Sequence, residues 1–157
     1  MKHNITINVN GEEWDVEVAS SDTLLEVLRE KIGIKSPKVG CEHGECGACT
    51  VILDGRTVRS CLVLAVEADG KGVLTVEGLS KKGPNKLQQA FIDRNSFQCG
   101  FCAPGVVLSV SELLAVNPAP SEDDVKEAIA GNLCRCTGYT PIVEAVMDVV
   151  GRGGDDA

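Results

Sequence analysis

The 157-residue sequence predicts an α+β protein in two unlike halves, strands around a single helix first and four helices after. Three observations carry this. Apolar residues alternate with polar ones in the first half, and beyond residue 85 they recur at helical spacing. Eight cysteines fall into two groups, four in each half.

Ile5, Ile7 and Val9 alternate with polar residues, and Trp14, Val16 and Val18 resume the alternation after Asn10-Gly11. An Asn-Gly pair readily takes the positive φ angles of a tight hairpin turn, so these runs read as a β-hairpin. Thr23 with Glu26 matches a capping box, opening a helix whose apolar stripe is Leu24, Leu25, Val27, Leu28 and Ile32 and which stops at Gly33. A second hairpin runs from Thr50 to Leu53, turns at Asp54-Gly55 and returns from Thr57; Val73 to Val76 offers a last short strand. Residues 1–78 are thus one domain. The stretch 79–85, rich in Gly, Lys, Ser and Pro, reads as a linker.

Residues 86–151 form the helical domain. Leu87 to Arg94 is one helix. Pro104 sits where the first turn of a helix tolerates it, ahead of Val106, Val107, Val110, Leu113 and Leu114. Ser121 with Asp124 is another capping box, for a helix reaching Ala130 and halted by Gly131-Asn132. Thr140-Pro141 opens the last helix, through Val150, with Ile142, Val143, Val146, Met147 and Val150 on its apolar face. Residues 152–157 read as a frayed tail.

Apolar residues make up 43% of the chain and only five residues are aromatic, so the cores must be built from Val, Leu, Ile and Ala. A formal charge of −8 repels phosphate backbones and argues against nucleic-acid binding. No apolar run approaches membrane-spanning length. The opening MKHNITINVNGEEW lacks the apolar block of a secretory signal, so the expected location is the cytoplasm. In that reducing compartment eight cysteines point to metal binding or redox duty rather than to disulfides.

In the first half the spacing is Cys41-x4-Cys46-x2-Cys49, with Cys61 a hairpin later, which is the plant-type ferredoxin spacing for a [2Fe–2S] cluster. Three thiolates from one short loop must converge on two irons, so the backbone has to turn sharply; Gly40, Gly44 and Gly47 allow it. Zinc favours paired short spacings instead. His43 lies inside the loop, but four cysteines complete the ligand set and leave it a polar neighbour facing solvent. In the second half Cys99-x2-Cys102 and Cys134-x-Cys136 supply four more thiolates, and helix N-termini nearby favour their anionic form. There, spacing alone leaves three readings open: a second iron–sulfur cluster, a zinc site, or a redox switch of Cys99 with Cys102. The first two need all four cysteines, whereas the switch leaves Cys134 and Cys136 without a role.

The strings GCEHGECGAC over residues 40–49, QCGFCAPG over 98–105 and GNLCRCTGY over 131–139 resemble the small iron–sulfur subunit of the xanthine oxidase family of molybdenum hydroxylases. Carbon monoxide dehydrogenase, nicotinate dehydrogenase and 4-hydroxybenzoyl-CoA reductase belong to that family. The resemblance spans nearly the whole chain and fills all eight ligand positions. It implies a β-grasp, plant-type ferredoxin-like domain followed by a four-helix-bundle domain, each with one [2Fe–2S] cluster. It further implies that Gln98 and Cys136 contact a molybdopterin held in a separate large subunit, and that a medium subunit holds FAD. On this reading electrons pass from the molybdenum centre to the cluster of Cys99, Cys102, Cys134 and Cys136. They go next to that of Cys41, Cys46, Cys49 and Cys61, and no substrate chemistry occurs in this chain. The expected form is a hetero-oligomer in the cytoplasm, or in the periplasm should a partner carry the export signal. A free two-cluster electron carrier is the main alternative, and a zinc-stabilised interaction module a further one.

Overall fold

The hairpin alternation becomes one half of a mixed five-stranded sheet in the computed structural model, which describes residues 1–152. Strands β1 (Lys2–Val9) and β2 (Glu12–Ala19) are antiparallel, joined by Asn10 and Gly11 at φ 55° and 87°. Strands β3 (Thr50–Leu53) and β4 (Arg56–Arg59) form the second hairpin, and β5 (Gly72–Leu74) lies between the two, parallel to β1 and antiparallel to β3. The order across the sheet is β2-β1-β5-β3-β4. Because side chains alternate across a strand, Ile5, Ile7 and Val9 all fall on one buried face. They pack there against Leu24, Val27 and Leu28 of the helix that crosses the sheet.

That helix starts as expected. Thr23 accepts from the Glu26 amide while Glu26 accepts from the Thr23 amide, and Gly33 ends it at φ 88°. Its course differs: α1 (Leu24–Glu26) widens into a π-helical segment over Val27–Ile32. The wider turn still leaves Ile32 and Ile34 packed against the core, and a six-residue apolar pattern does not separate the two periods. The expected strand to Val76 ends at Leu74, and Val76 opens a short helix α2 (Val76–Leu79). A 3₁₀ turn over Ala65–Ala68 is an addition that the largely apolar run around it did not signal.

At the start of α2 a solvent-accessible carboxylate joins three segments. Glu77 accepts from the Ser36 hydroxyl (2.5 Å) and amide (3.3 Å) and from the Thr75 hydroxyl (2.6 Å), and the Asn10 side chain bonds both Thr75 groups. Burial alone would raise the Glu77 pKa, but the Ser36 and Thr75 donors outweigh it and hold the group below 4.5. A carboxylate with a depressed folded pKa stabilises the fold above its unfolded value and loses that stabilisation as pH falls through the folded one. Glu77→Gln is therefore expected to lower the thermal midpoint at neutral pH. The gap to wild type should stay constant down to about pH 4.5 and shrink below it, as melts across pH would show.

The second half holds α3 (Lys86–Asp93), α4 (Ala103–Val116), α5 (Glu122–Ile129) and α6 (Thr140–Arg152). Asn85 caps α3 through a reciprocal pair with Gln88, and Ser121 caps α5 with Asp124. Arg94 clasps α6 by a two-pronged contact with Asp148 (2.6 and 2.9 Å) and a third with Glu144 (2.9 Å). Helix α6 reaches Arg152; the rest of the expected tail, 153–157, lies outside the described residues.

Helix α4 belongs to both halves. Gly105 through Val110 are buried without a break, so no face of that stretch meets water. One side packs with Leu87, Phe91, Val125, Ile142 and Val146 in the helical core, and the other lies on β3 and β4. Glu112 adds a polar tie, accepting from Thr57 of β4 (2.5 Å) and pairing with Arg56 (3.5 Å).

Candidate metal centres

All eight cysteines are free thiols and gather in two places. The first is the loop from Gly40 to Cys49 with Cys61 beside it. Main-chain amides turn inward onto the sulfurs: Glu45 and Cys46 donate to Cys41 Sγ at 3.3 and 3.4 Å, and Ala48 donates to Cys46 Sγ at 3.4 Å. The glycines act in two ways. Gly44 and Gly47 hold φ of 86° and 72°, whereas Gly40 gives room, since a Cβ there would lie 2.7 Å from Cys46 Sγ. Glu42, at φ 58°, supplies a further turn that no glycine announced. The Cys41 thiol is pulled down to about 6 by the Cys46 amide and then the His43 amide. Burial pushes the Cys61 thiol up to about 11, followed by its contact with Cys49. His43 is exposed and pairs with Glu45 (3.3 Å); the Cys41 carbonyl and then the Cys41 charge raise its pKa.

The second gathering lies where the α3–α4 and α5–α6 connections meet. Cys102 immediately precedes α4 and is buried, at 7% exposure, while Cys99 and Cys136 are exposed with sulfurs 3.6 Å apart. Burial drives the Cys102 thiol up to about 12, and contact with Cys134 adds to this. Cys134 shifts the other way: burial opposes it, but the Thr137 hydroxyl and the amides of Cys136 and Thr137 outweigh burial. Gln98 Nε2 donates to the Cys136 carbonyl at 3.1 Å, joining the two residues singled out for a pterin contact.

In each gathering the thiols are neighbours in pairs: Cys99 with Cys136, their sulfurs 3.6 Å apart, and Cys41 with Cys46, Cys49 with Cys61 and Cys102 with Cys134, whose side chains influence one another. Two thiolates for each of two irons is what a [2Fe–2S] cluster takes. The inward amides suit an anionic sulfur-rich group, so these residues fit two such clusters.

Comparison with known proteins agrees over nearly the full length. Residues 7–75 match the model of the 2Fe-2S iron-sulfur cluster binding domain, and residues 75–147 match that of the [2Fe-2S] binding domain. The nicotine 6-hydroxylase small subunit of Paenarthrobacter nicotinovorans is 49% identical over 151 residues, 96% of this chain and 92% of the relative. The chain belongs to the xanthine oxidase family, as a small iron–sulfur subunit. Quinoline 2-oxidoreductase from Pseudomonas putida 86 contains a chain that superposes with a TM-score of 0.93 at 43% identity, covering 99% of this chain and 98% of that one. The Desulfovibrio gigas aldehyde oxidoreductase carries the same unit within a longer chain: TM-score 0.91, 42% identity, 99% of this chain but 18% of that one. The small iron–sulfur subunit is an electron-transfer part of a molybdenum-containing oxidoreductase, built from a β-grasp and a helical [2Fe–2S] domain. No helix among its described residues is long and apolar enough to cross a membrane.

The two centres of the small subunit are joined by a contact that the sequence did not announce. The Leu133 amide, next to Cys134, donates to the carbonyl of Cys46 at 2.9 Å. Asn132, only 1% exposed, accepts from Ser109 (2.8 Å) and donates to the Gly47 carbonyl and to Thr50 (3.1 and 3.2 Å). Arg59 reaches across from β4 to Thr50 and to the Gly131 carbonyl, both at 2.9 Å. Asn132 had looked only like the end of a helix. Its amide is instead the polar pin of the joint, and no buried side-chain nitrogen or oxygen among the described residues lacks a partner.

Proposed function

We propose that Cys41, Cys46, Cys49 and Cys61 hold one [2Fe–2S] cluster and Cys99, Cys102, Cys134 and Cys136 the other. Each cluster supplies one-electron acceptance and release. The protein around them holds the eight thiolates in place, excludes water from Cys49 and Cys102, and fixes the distance between the centres through the Asn132 joint. The observation that carries the reading is the pairing of sulfurs in two sites whose loops touch through Leu133 and Cys46. That hydrogen bond, followed by one peptide unit to Cys134, connects the two ligand loops directly, and we place the inter-cluster electron path along it.

The exposed Cys99 and Cys136 lie beside Gln98, Phe101 (47% exposed) and Leu133 (57% exposed). A half-apolar rim around a redox centre fits a permanent partner, and here the large molybdopterin-binding subunit is assigned to it, with Gln98 and Cys136 toward the pterin. The rim of Glu42, His43 and Glu45 is then left for the FAD-bearing medium subunit. Relatives named for nicotine, quinoline and aldehydes resemble this chain at 42–49% identity, in keeping with substrate choice residing outside it. The cytoplasm is the proposed location, since eight free cysteines suit a reducing compartment.

Gentle purification of the untagged complex followed by elemental analysis tests this. About four irons per small subunit are expected, from four thiolates per two-iron cluster, with about one molybdenum in a larger co-purifying chain. Four irons in a lone chain without molybdenum would mean a free carrier, and zinc in place of iron would sink both readings.

A further inference from the structure

Thr137 occupies an unusual place in the second centre. Its Oγ1 lies 3.2 Å from Cys134 Sγ and also 3.2 Å from the amide nitrogen of Tyr139. The Tyr139 amide can only donate, so it takes a lone pair of the hydroxyl oxygen and leaves the hydroxyl hydrogen free. A Cys134 thiolate bound to iron has no hydrogen and can only accept. The one arrangement that satisfies all three groups is Tyr139 N–H to Thr137 Oγ1, and Thr137 O–H to Cys134 Sγ. The ring closes through the tyrosine itself, because the Cys134 amide donates to Tyr139 Oη at 2.8 Å. Tyr139 keeps this position with a left-handed backbone, φ 70°, which is uncommon for a residue with a side chain.

We infer that Thr137 is a positioning residue that sets the reduction potential of the cluster held by Cys99, Cys102, Cys134 and Cys136. The inference rests on the ligand reading above and goes beyond it. Reduction adds one electron to the cluster, taking it from two ferric irons to one ferric and one ferrous, and the added charge spreads onto its sulfurs. A hydroxyl donating to a ligand sulfur stabilises the more negative, reduced form and raises the potential. In the first centre the donors to Cys41 and Cys46 are main-chain amides, which no substitution other than proline removes. In the second centre a side chain contributes beside main-chain amides, so the offset between the two potentials can be shifted by substituting one residue.

Redox titration of the purified complex, following the paramagnetic signals of both reduced clusters, tests the assignment with Thr137→Val, Thr137→Ala and Thr137→Ser. At the potential where the wild-type cluster is half reduced, the valine and alanine variants are expected to show a reduced-to-oxidised ratio about tenfold lower, which is about 59 mV for one electron. Serine should restore the wild-type midpoint, and the midpoint of the other cluster should not move in any variant. An unchanged midpoint in the valine or alanine variant, with both clusters present, overturns the proposal. So does failure of both variants to assemble the cluster while serine succeeds, since the hydroxyl would then serve assembly rather than tuning. A wild-type complex that holds zinc or only one cluster would instead defeat the ligand assignment.

Discussion

Substituting Cys136 by alanine is expected to take the subunit from about four irons per chain to about two and to stop turnover of the complex. Cys136 stands 3.6 Å from Cys99 and shares its site with the buried Cys102 and with Cys134, so its loss leaves three sulfurs for two irons. A [2Fe–2S] cluster needs two thiolates on each iron, and exposed Cys99 would be left facing water without its partner. The other cluster should survive, because its ligands lie in the Gly40–Cys49 loop and at Cys61, away from residue 136, and that loop has its own amides turned onto Cys41 and Cys46. Molybdenum, bound in another chain, should be retained. Iron and molybdenum analysis, the spectrum of the remaining cluster and turnover with an artificial acceptor together check this. Four irons in the variant would remove Cys136 from the ligand set, and full turnover with two irons would mean that electrons leave by another route.

Gly47→Ala is expected to be the most damaging single added methyl group among the described glycines. A Cβ at Gly47 would lie 2.1 Å from the Gly131 carbonyl oxygen and 2.8 Å from the Asn132 side-chain nitrogen, and the φ of 72° disfavours any side chain. The left-handed backbone costs about 1–2 kcal/mol for a non-glycine residue. Forcing an extra carbon into a packed contact adds about 1–3 kcal/mol. Here the atoms that must yield are main chain of the opposing cluster loop, which favours the upper end of that range. Gly33→Ala is the control: its φ of 88° imposes the same kind of strain, yet no atom lies within 4 Å of the added carbon. Unfolding free energies from denaturant melts should therefore fall by about 1–2 kcal/mol for Gly33→Ala and by about twice as much or more for Gly47→Ala. The Gly47 variant alone should also lose iron. Equal losses in the two variants would show that the joint between the halves gives way easily.

Much of this protein could be read from short stretches of chain. Asn10-Gly11 and Asp54-Gly55 mark hairpin turns because their conformation is a property of two residues. The capping boxes at Thr23 and Ser121 span four residues, and each forms as its sequence implies. The three cysteine-bearing strings carry the family by themselves, since converging thiolates, sharp turns and inward amides are all demands made within a single loop. Reading stopped where two local rules competed. Val76 fits a strand by its branched side chain, but Glu77 and the Thr75 network turn the chain into a helix there. The 3.6-residue pattern of Leu24 to Ile32 holds a π-helical turn that the same apolar residues satisfy equally well.

By itself, then, the sequence determined the α+β class, the eight thiols and the family, because each rests on residues within a few positions of one another. Tertiary structure alone decided how the two halves meet. Asn132 bonds Gly47 across 85 residues, Arg59 reaches Gly131 across 72, and Leu133 finds the Cys46 carbonyl. No periodicity links such positions. Buried amides and carbonyls must find partners wherever the packed surfaces bring them together, and that packing is set by α4, buried from Gly105 to Val110 between the sheet and the helices. The same long-range closure matches Cys99 with Cys136 and Cys102 with Cys134, because the loops that carry them are joined only by the fold.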